Sequence, residues 1–135
     1  MRSTSIVTSF ITNEQKILIL KRSNQVKTLK CLWAGISGII EKGDKTPLSR
    51  AKIEIFEEVG IKEEELKLLK TIQQLRVVSP QYKNHKWNIF PFLFGTKNME
   101  IKLNWENSEF TWIKPTELVN YKTVPGLDKI LSNLL

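Results

Sequence analysis

The stretch TPLSRAKIEIFEEVG, residues 46–60, constrains the fold more than any other. Thr46 can cap a helix N-terminus, Pro47 suits the first helical position, and Gly60 suits the stop. Between them Leu48, Ala51, Ile55 and Val59 recur at helical spacing and make one apolar stripe. A helix with such a stripe must bury it against another layer, and the flanking sequence supplies strands. STSIVTSFIT is rich in β-branched residues, and KILILKRS follows after Asn13-Glu14-Gln15, a link short enough for a hairpin. LWAGISGII, broken by Gly35 and Gly38, reads as a strand running into a tight loop, and residues 23–32 before it read as loop. Beyond the helix, LKLLKTIQQLRVVS reads as one long strand ended by Ser79-Pro80. KWNIFPFLFGT reads as a central strand in which Pro91 demands a bulge or an unpaired position. FTWIK reads as a short strand, with helices over Pro115 to Val119 and Gly126 to Leu135. This order predicts a mixed α/β domain, and 135 residues suit a single domain over 1–135 with one core.

The chain carries 21 Lys and Arg against 14 Asp and Glu, a net charge of +7. That surplus favours anionic partners such as nucleotides, nucleic acid or an acidic surface. The lysines are dispersed rather than in a run, which disfavours a nucleic-acid tail. Cys31 is the only cysteine and His85 the only histidine, so an intramolecular disulfide and a Cys- or His-pair zinc site are excluded. No apolar run is long enough for a signal core or a membrane span, and a cytoplasmic, reducing setting is the simplest expectation.

Against this positive background the helix carries Glu54, Glu57 and Glu58. At about 100° per residue they occupy roughly a third of the circumference, with Arg50 one turn earlier on the same side. Like charges at this spacing cost roughly 0.2–0.5 kcal/mol per pair, and acids near a helix C-terminus oppose its dipole. Pairing of Arg50 with Glu54 offsets part of that cost, and a divalent cation would offset more. All-oxygen ligands suit Mg²⁺ or Mn²⁺ rather than structural zinc. The alternative is a solvated acidic face.

The loop before the helix adds Gly38, Gly43 and Asp44. Together these residues resemble the Nudix hydrolase box, G-x5-E-x7-R-E-U-x-E-E-x-G-U, with U a bulky apolar residue. Gly38 matches the first glycine, Asp44 the first acid, and Glu54, Ile55, Glu57, Glu58, Gly60 and Ile61 the second half. Three departures stand out: Asp44 replaces Glu, the spacer to Glu54 is one residue longer, and Ile53 replaces the arginine, a role Arg50 can take from one turn away. ILILKRS, LWAGISG and ENSEFTWIKPTEL resemble further family segments.

The resemblance implies a Nudix-type α/β/α sandwich with a mixed central sheet. It implies Mg²⁺- or Mn²⁺-dependent hydrolysis of a phosphoanhydride in a nucleoside diphosphate linked to another moiety. It also implies Glu54, Glu57 and Glu58 as catalytic metal ligands, backbone of Gly38 beside the metal, and Glu58 or Glu54 polarising the attacking water. Asp44 is expected to brace the loop, by pairing with Arg50. Glu106, ahead of Glu109, is a candidate general base against the reading of a solvated loop acid. Substrate-binding candidates are Arg22, which can hold a phosphate or make a surface ion pair, and Trp33, which can stack on a base or pack in the core. Phe90, Phe92 and Phe94 alternate as core or pocket lining, His85 is placed in a polar turn, and Cys31 is read as a lone small hydrophobe rather than a reactive thiol. The expected partner is a nucleotide-derived small molecule, with no membrane, nucleic acid not favoured, and homodimerisation common in the family. A Nudix-like domain that binds nucleotide or RNA without hydrolysis is the competing reading.

Overall fold

The first two β-rich runs form a hairpin, β1 (Arg2–Asn13) and β2 (Lys16–Arg22), in the computed structural model, which describes residues 2–78 and 85–135. Glu14 and Gln15 turn the chain with φ of 46° and 69°, the positive values that a two-residue hairpin turn of this twist requires. The two strands pair only at Thr12–Ile17 and Asn13–Lys16 and then diverge. The LWAGISGII segment fills the gap by splitting in two. Strand β3 (Trp33–Ala34) pairs with β2, and β4 (Ile36–Ile39) pairs with β1. Gly35 marks the changeover, where a Cβ would lie 2.8 Å from the Ser9 carbonyl oxygen and 2.9 Å from the Phe10 ring.

Strand β7 (His85–Thr96) runs parallel to β1 along almost its whole length. On its other side lie β5 (Leu66–Thr71) and β6 (Leu75–Val78), both antiparallel. The single long strand expected over LKLLKTIQQLRVVS is therefore two, interrupted at residues 72–74. Pro91 supplies the reason: β6 pairs with residues 86–89 and β5 with 92–96, so the residue without an N–H falls opposite the break. Thr71 Oγ1 bonds the Pro91 carbonyl there, at 3.2 Å. His85 opens β7 instead of sitting in a turn, and its Nε2 lies 2.7 Å from Thr4 Oγ1. Strand β8 (Asn107–Ile113) pairs with β2 and begins earlier than FTWIK suggests. Ser79, Pro80 and Tyr82 lie outside the described residues.

Successive side chains of a strand point to opposite faces, and both faces of this sheet are apolar. Helix α1 (Pro47–Val59) covers one face, where Ala51, Ile55 and Val59 pack on Val7, Ile11, Leu18, Leu20, Phe92 and Phe94. Helix α2 (Leu127–Leu134) covers the other, over Phe10, Ile17, Ile19, Ile89 and Leu93. The architecture is the expected α/β/α sandwich around a mixed sheet, and Phe90, Phe92 and Phe94 belong to the α1-side core. Truncating the fully buried Ile55 to alanine would cost about 2–5 kcal/mol. The helix expected from Pro115 is a 3-10 turn, Pro115–Asn120. Cys31 is exposed with φ of 62°, not a buried hydrophobe. Among the described residues no helix is long and apolar enough to cross a membrane.

Candidate active site

Helix α1 is fixed at both ends as its sequence predicts. Thr46 Oγ1 accepts the Ser49 N–H at 3.0 Å, and Gly60, with φ of 78°, donates its N–H to the Phe56 carbonyl. With the core stripe docked, Glu54 and Glu58 fall at the edge of the buried face and are 9% and 4% exposed. Glu57 lies on the solvent side and is exposed. The helix pitch accounts for the difference, because Glu58 is rotated from Glu54 toward the stripe and Glu57 away from it. The acids are thus not a solvated face: two are taken into the protein and one stays in water.

Strand β4 brings Gly38 against this edge. A Cβ at Gly38 would lie 2.2 Å from Glu54 Cδ, so the absence of a side chain is what admits the carboxylate. Arg50, 8% exposed, holds it from one turn earlier through Nη1–H to Glu54 Oε2 at 3.0 Å. The same guanidinium grips Asp44 with two bonds, 2.8 and 2.9 Å, and meets Glu41 at 3.2 Å. Asp44 Oδ2 also accepts the Glu41 N–H at 2.8 Å. The Arg50 bonds hold the Asp44 carboxyl below the usual carboxylate range, and Asp44 first, with Glu54 after it, holds the guanidinium firmly charged. Arg50 thus performs the orienting that Ile53, which is 42% exposed, cannot.

Glu58 has a different environment. Its Oε1 accepts Asn107 Nδ2–H at 3.0 Å, while its Oε2 is buried and receives no donor. Glu54 is a carboxyl neighbour of Glu58, and two carboxylates bond each other only when one carries a proton. Burial first, then the charge of Glu106, pushes the Glu58 pKa up to about 9, with the Asn107 bond opposing. Burial likewise raises Glu54, against the pull of Arg50. Glu106 is half-buried on the turn Asn104–Asn107, where Asn104 Nδ2 donates to it at 3.2 Å and its N–H donates to Asn104 Oδ1 at 3.0 Å. Its charge is felt by both Glu54 and Glu58. Glu109 instead pairs with Lys21 at 3.3 Å.

The two substrate-binding candidates differ in placement, Arg22 facing Asn107 across the β2–β8 ladder and Trp33 lying on the far side of the sheet. Arg22 donates Nε–H and Nη2–H to the Thr28 carbonyl, at 3.2 and 3.0 Å, and so staples the 23–32 loop. Trp33 belongs to the α2-side core and meets Tyr121 edge-on, ring centroids 5.2 Å apart, on the opposite face of the sheet from the carboxylates. Asn107 was not foreshadowed by any motif.

Among the described residues no three acidic, histidine or cysteine side chains stand already gathered for a metal ion. What is assembled is narrower: an inward pair, Glu54 and Glu58, a buried carboxyl oxygen without a donor, and the charges of Glu57 and Glu106 bearing on the pair. An all-oxygen set with a buried carboxyl oxygen that lacks a donor fits a hard divalent cation, which would take the place of the proton that burial keeps on Glu58.

Fold and site define an α/β/α protein that presents an acidic helix beside a glycine-opened strand. The NUDIX domain profile matches residues 2–134, and the chain belongs to that family of hydrolases, which act on nucleoside diphosphates linked to other moieties. No curated protein matches it in sequence. Similar solved structures include a MutT protein from Methanosarcina mazei Go1, 20% identical over 98% of this chain and 92% of that one, TM-score 0.81. A Clostridium perfringens hydrolase of the NUDIX family is 16% identical over 98% and 99%, TM-score 0.72. A C. elegans Ap4A hydrolase is 15% identical over 98% and 93%, TM-score 0.71.

Proposed function

We propose that this chain hydrolyses a phosphoanhydride bond in a nucleoside diphosphate linked to another moiety, with Mg²⁺ or Mn²⁺ as cofactor. The observation that carries the reading is the buried, donorless Oε2 of Glu58, on a carboxyl that feels the charges of Glu106 and Glu54. A cluster of acids can be a solvated face, but a buried carboxyl oxygen with no donor among the described residues has no structural use and is costly to keep. Glu54 and Glu58 would hold the cation, with Glu57 and Glu106 as the flanking carboxylates and the Gly38 backbone beside them. When bound, the cation neutralises the diphosphate and lowers the pKa of a water. The chain's own part is positioning. Arg50 fixes Glu54, Asn107 fixes Glu58, and Glu106 is a half-buried carboxylate suited to accept a proton from the attacking water. Arg22 keeps further N–H donors for phosphate beyond the two given to Thr28. Ap4A, named for one structural neighbour, contains bonds of the proposed class.

The test is release of phosphate-bearing products from a panel of nucleoside diphosphate derivatives, dinucleoside polyphosphates and capped RNA with Mg²⁺, comparing wild type with Glu58→Gln. A loss of roughly a hundredfold or more is expected, since even outer-shell changes at metal sites cost 10–100-fold. Equal turnover by both proteins would overturn the reading. Metal-independent binding of RNA without turnover would replace it with a binding function, which the +7 charge permits.

A further inference from the structure

Asn107 reaches Glu58 only because of an irregularity in β8. Along the β2–β8 ladder Leu20 faces Phe110 and Lys21 faces Glu109, but Arg22 faces Asn107, so Ser108 is an extra residue on β8. Strict alternation from Phe110 would place Ser108 on the α1 side and Asn107 on the α2 side. The bulge brings Asn107 to the α1 side instead, and bulges beside active sites commonly re-aim a side chain. The re-aimed amide is 7% exposed and spends its Nδ2–H on Glu58 Oε1 at 3.0 Å. This fixes the plane of the Glu58 carboxylate and occupies one oxygen, while the other, Oε2, stays buried without a donor. The turn that precedes Asn107 is itself tied down, since the Glu106 carbonyl accepts the Ser23 N–H at 2.8 Å.

We infer that Asn107 is a positioning residue for the cation site: it holds Glu58 by Oε1 so that Oε2 alone is offered to the divalent ion. The inference rests on the proposed reading of this helix edge as a cation site. Ligating carboxylates need such partners, and loss of one typically weakens metal affinity 10–100-fold.

The test is calorimetric titration of the purified, metal-free protein with Mn²⁺, independent of any substrate. Asn107→Leu keeps the volume and removes the donor, and a 10–100-fold weaker Kd is expected. Asn107→His carries a nitrogen at the same distance from Cβ and, as the Nδ1–H tautomer, restores the donor. Its Kd is expected within about threefold of wild type, well inside the loss an absent partner causes. With a substrate from the panel, Asn107→Leu should raise the Mg²⁺ concentration for half-maximal rate while turnover recovers at saturating Mg²⁺. Should Asn107→Leu not fold, Asn107→Ser, whose hydroxyl stops a bond short of Glu58, carries the same expectation. A folded Asn107→Leu or Asn107→Ser protein that binds Mn²⁺ as wild type does would overturn the role of Asn107 and leave the cation site standing. A wild-type protein that takes no Mn²⁺ would overturn both.

Discussion

Glu58→Gln should stabilise the metal-free protein while abolishing its activity. Burial raises the Glu58 pKa from 4.5 to about 9. Between those values the folded state binds a proton that the unfolded state has released, so stability falls as pH rises through the window. The contribution is fully present below about 4.5, is partly lost by neutrality, and is gone above about 9. At pH 7 the loss is about 3–4 kcal/mol, from about 1.4 kcal/mol for each pH unit above the unfolded pKa of 4.5. Glutamine has no proton to lose, its carbonyl can still accept from Asn107, and its amide can donate toward Glu54. Urea unfolding in EDTA at pH 5, 6, 7 and 8 checks this. The variant should match wild type near pH 5 and exceed it by about 2–3 kcal/mol at pH 7, with the gap widening at pH 8. Mg²⁺ at a thousandfold excess over the wild-type Kd should reverse the order at pH 7, because binding to the folded state alone adds about 4.1 kcal/mol there. A gap that does not change with pH, or a variant less stable than wild type at pH 7, would refute the account of Glu58.

Other perturbations test neighbouring parts. Gly38→Ala should displace the Glu54 carboxylate and weaken Mn²⁺ binding by roughly 10–100-fold, read by calorimetry. Arg50→Lys should not restore what Arg50→Ala loses, since a single ammonium cannot reproduce the two-pronged grip on Asp44; hydrolysis rates of the two should fall together. Because the Asp44 pKa is lowered, its contribution is present at neutral pH and lost as pH falls, so Asp44→Asn should flatten the acid limb of the stability curve.

The parts of this fold that depend on local chemistry were legible in the sequence. The caps at Thr46 and Gly60, the short hairpin link Asn13-Glu14-Gln15 and the Arg50–Glu54 pair follow from propensity and spacing alone, while the Asp44–Arg50 pair followed from the family resemblance. The parts that depend on pairing partners were not. Nothing within LWAGISGII states that its halves join different strands, because that follows from β1 and β2 separating. The burial of Glu58 beside an exposed Glu57 depends on where the sheet edge meets the helix. Asn107 was hidden for a similar reason: a period of two sends it to the wrong face, and only the register of β8 against β2 corrects it.

The interruption opposite Pro91 has a mechanical meaning. Since β5 and β6 hold β7 through separate ladders, opening of one need not unzip the other. Amide exchange should therefore report two independent protection classes along that edge, with β6 able to breathe while the backbone that carries Phe92 and Phe94 under the acidic helix keeps still.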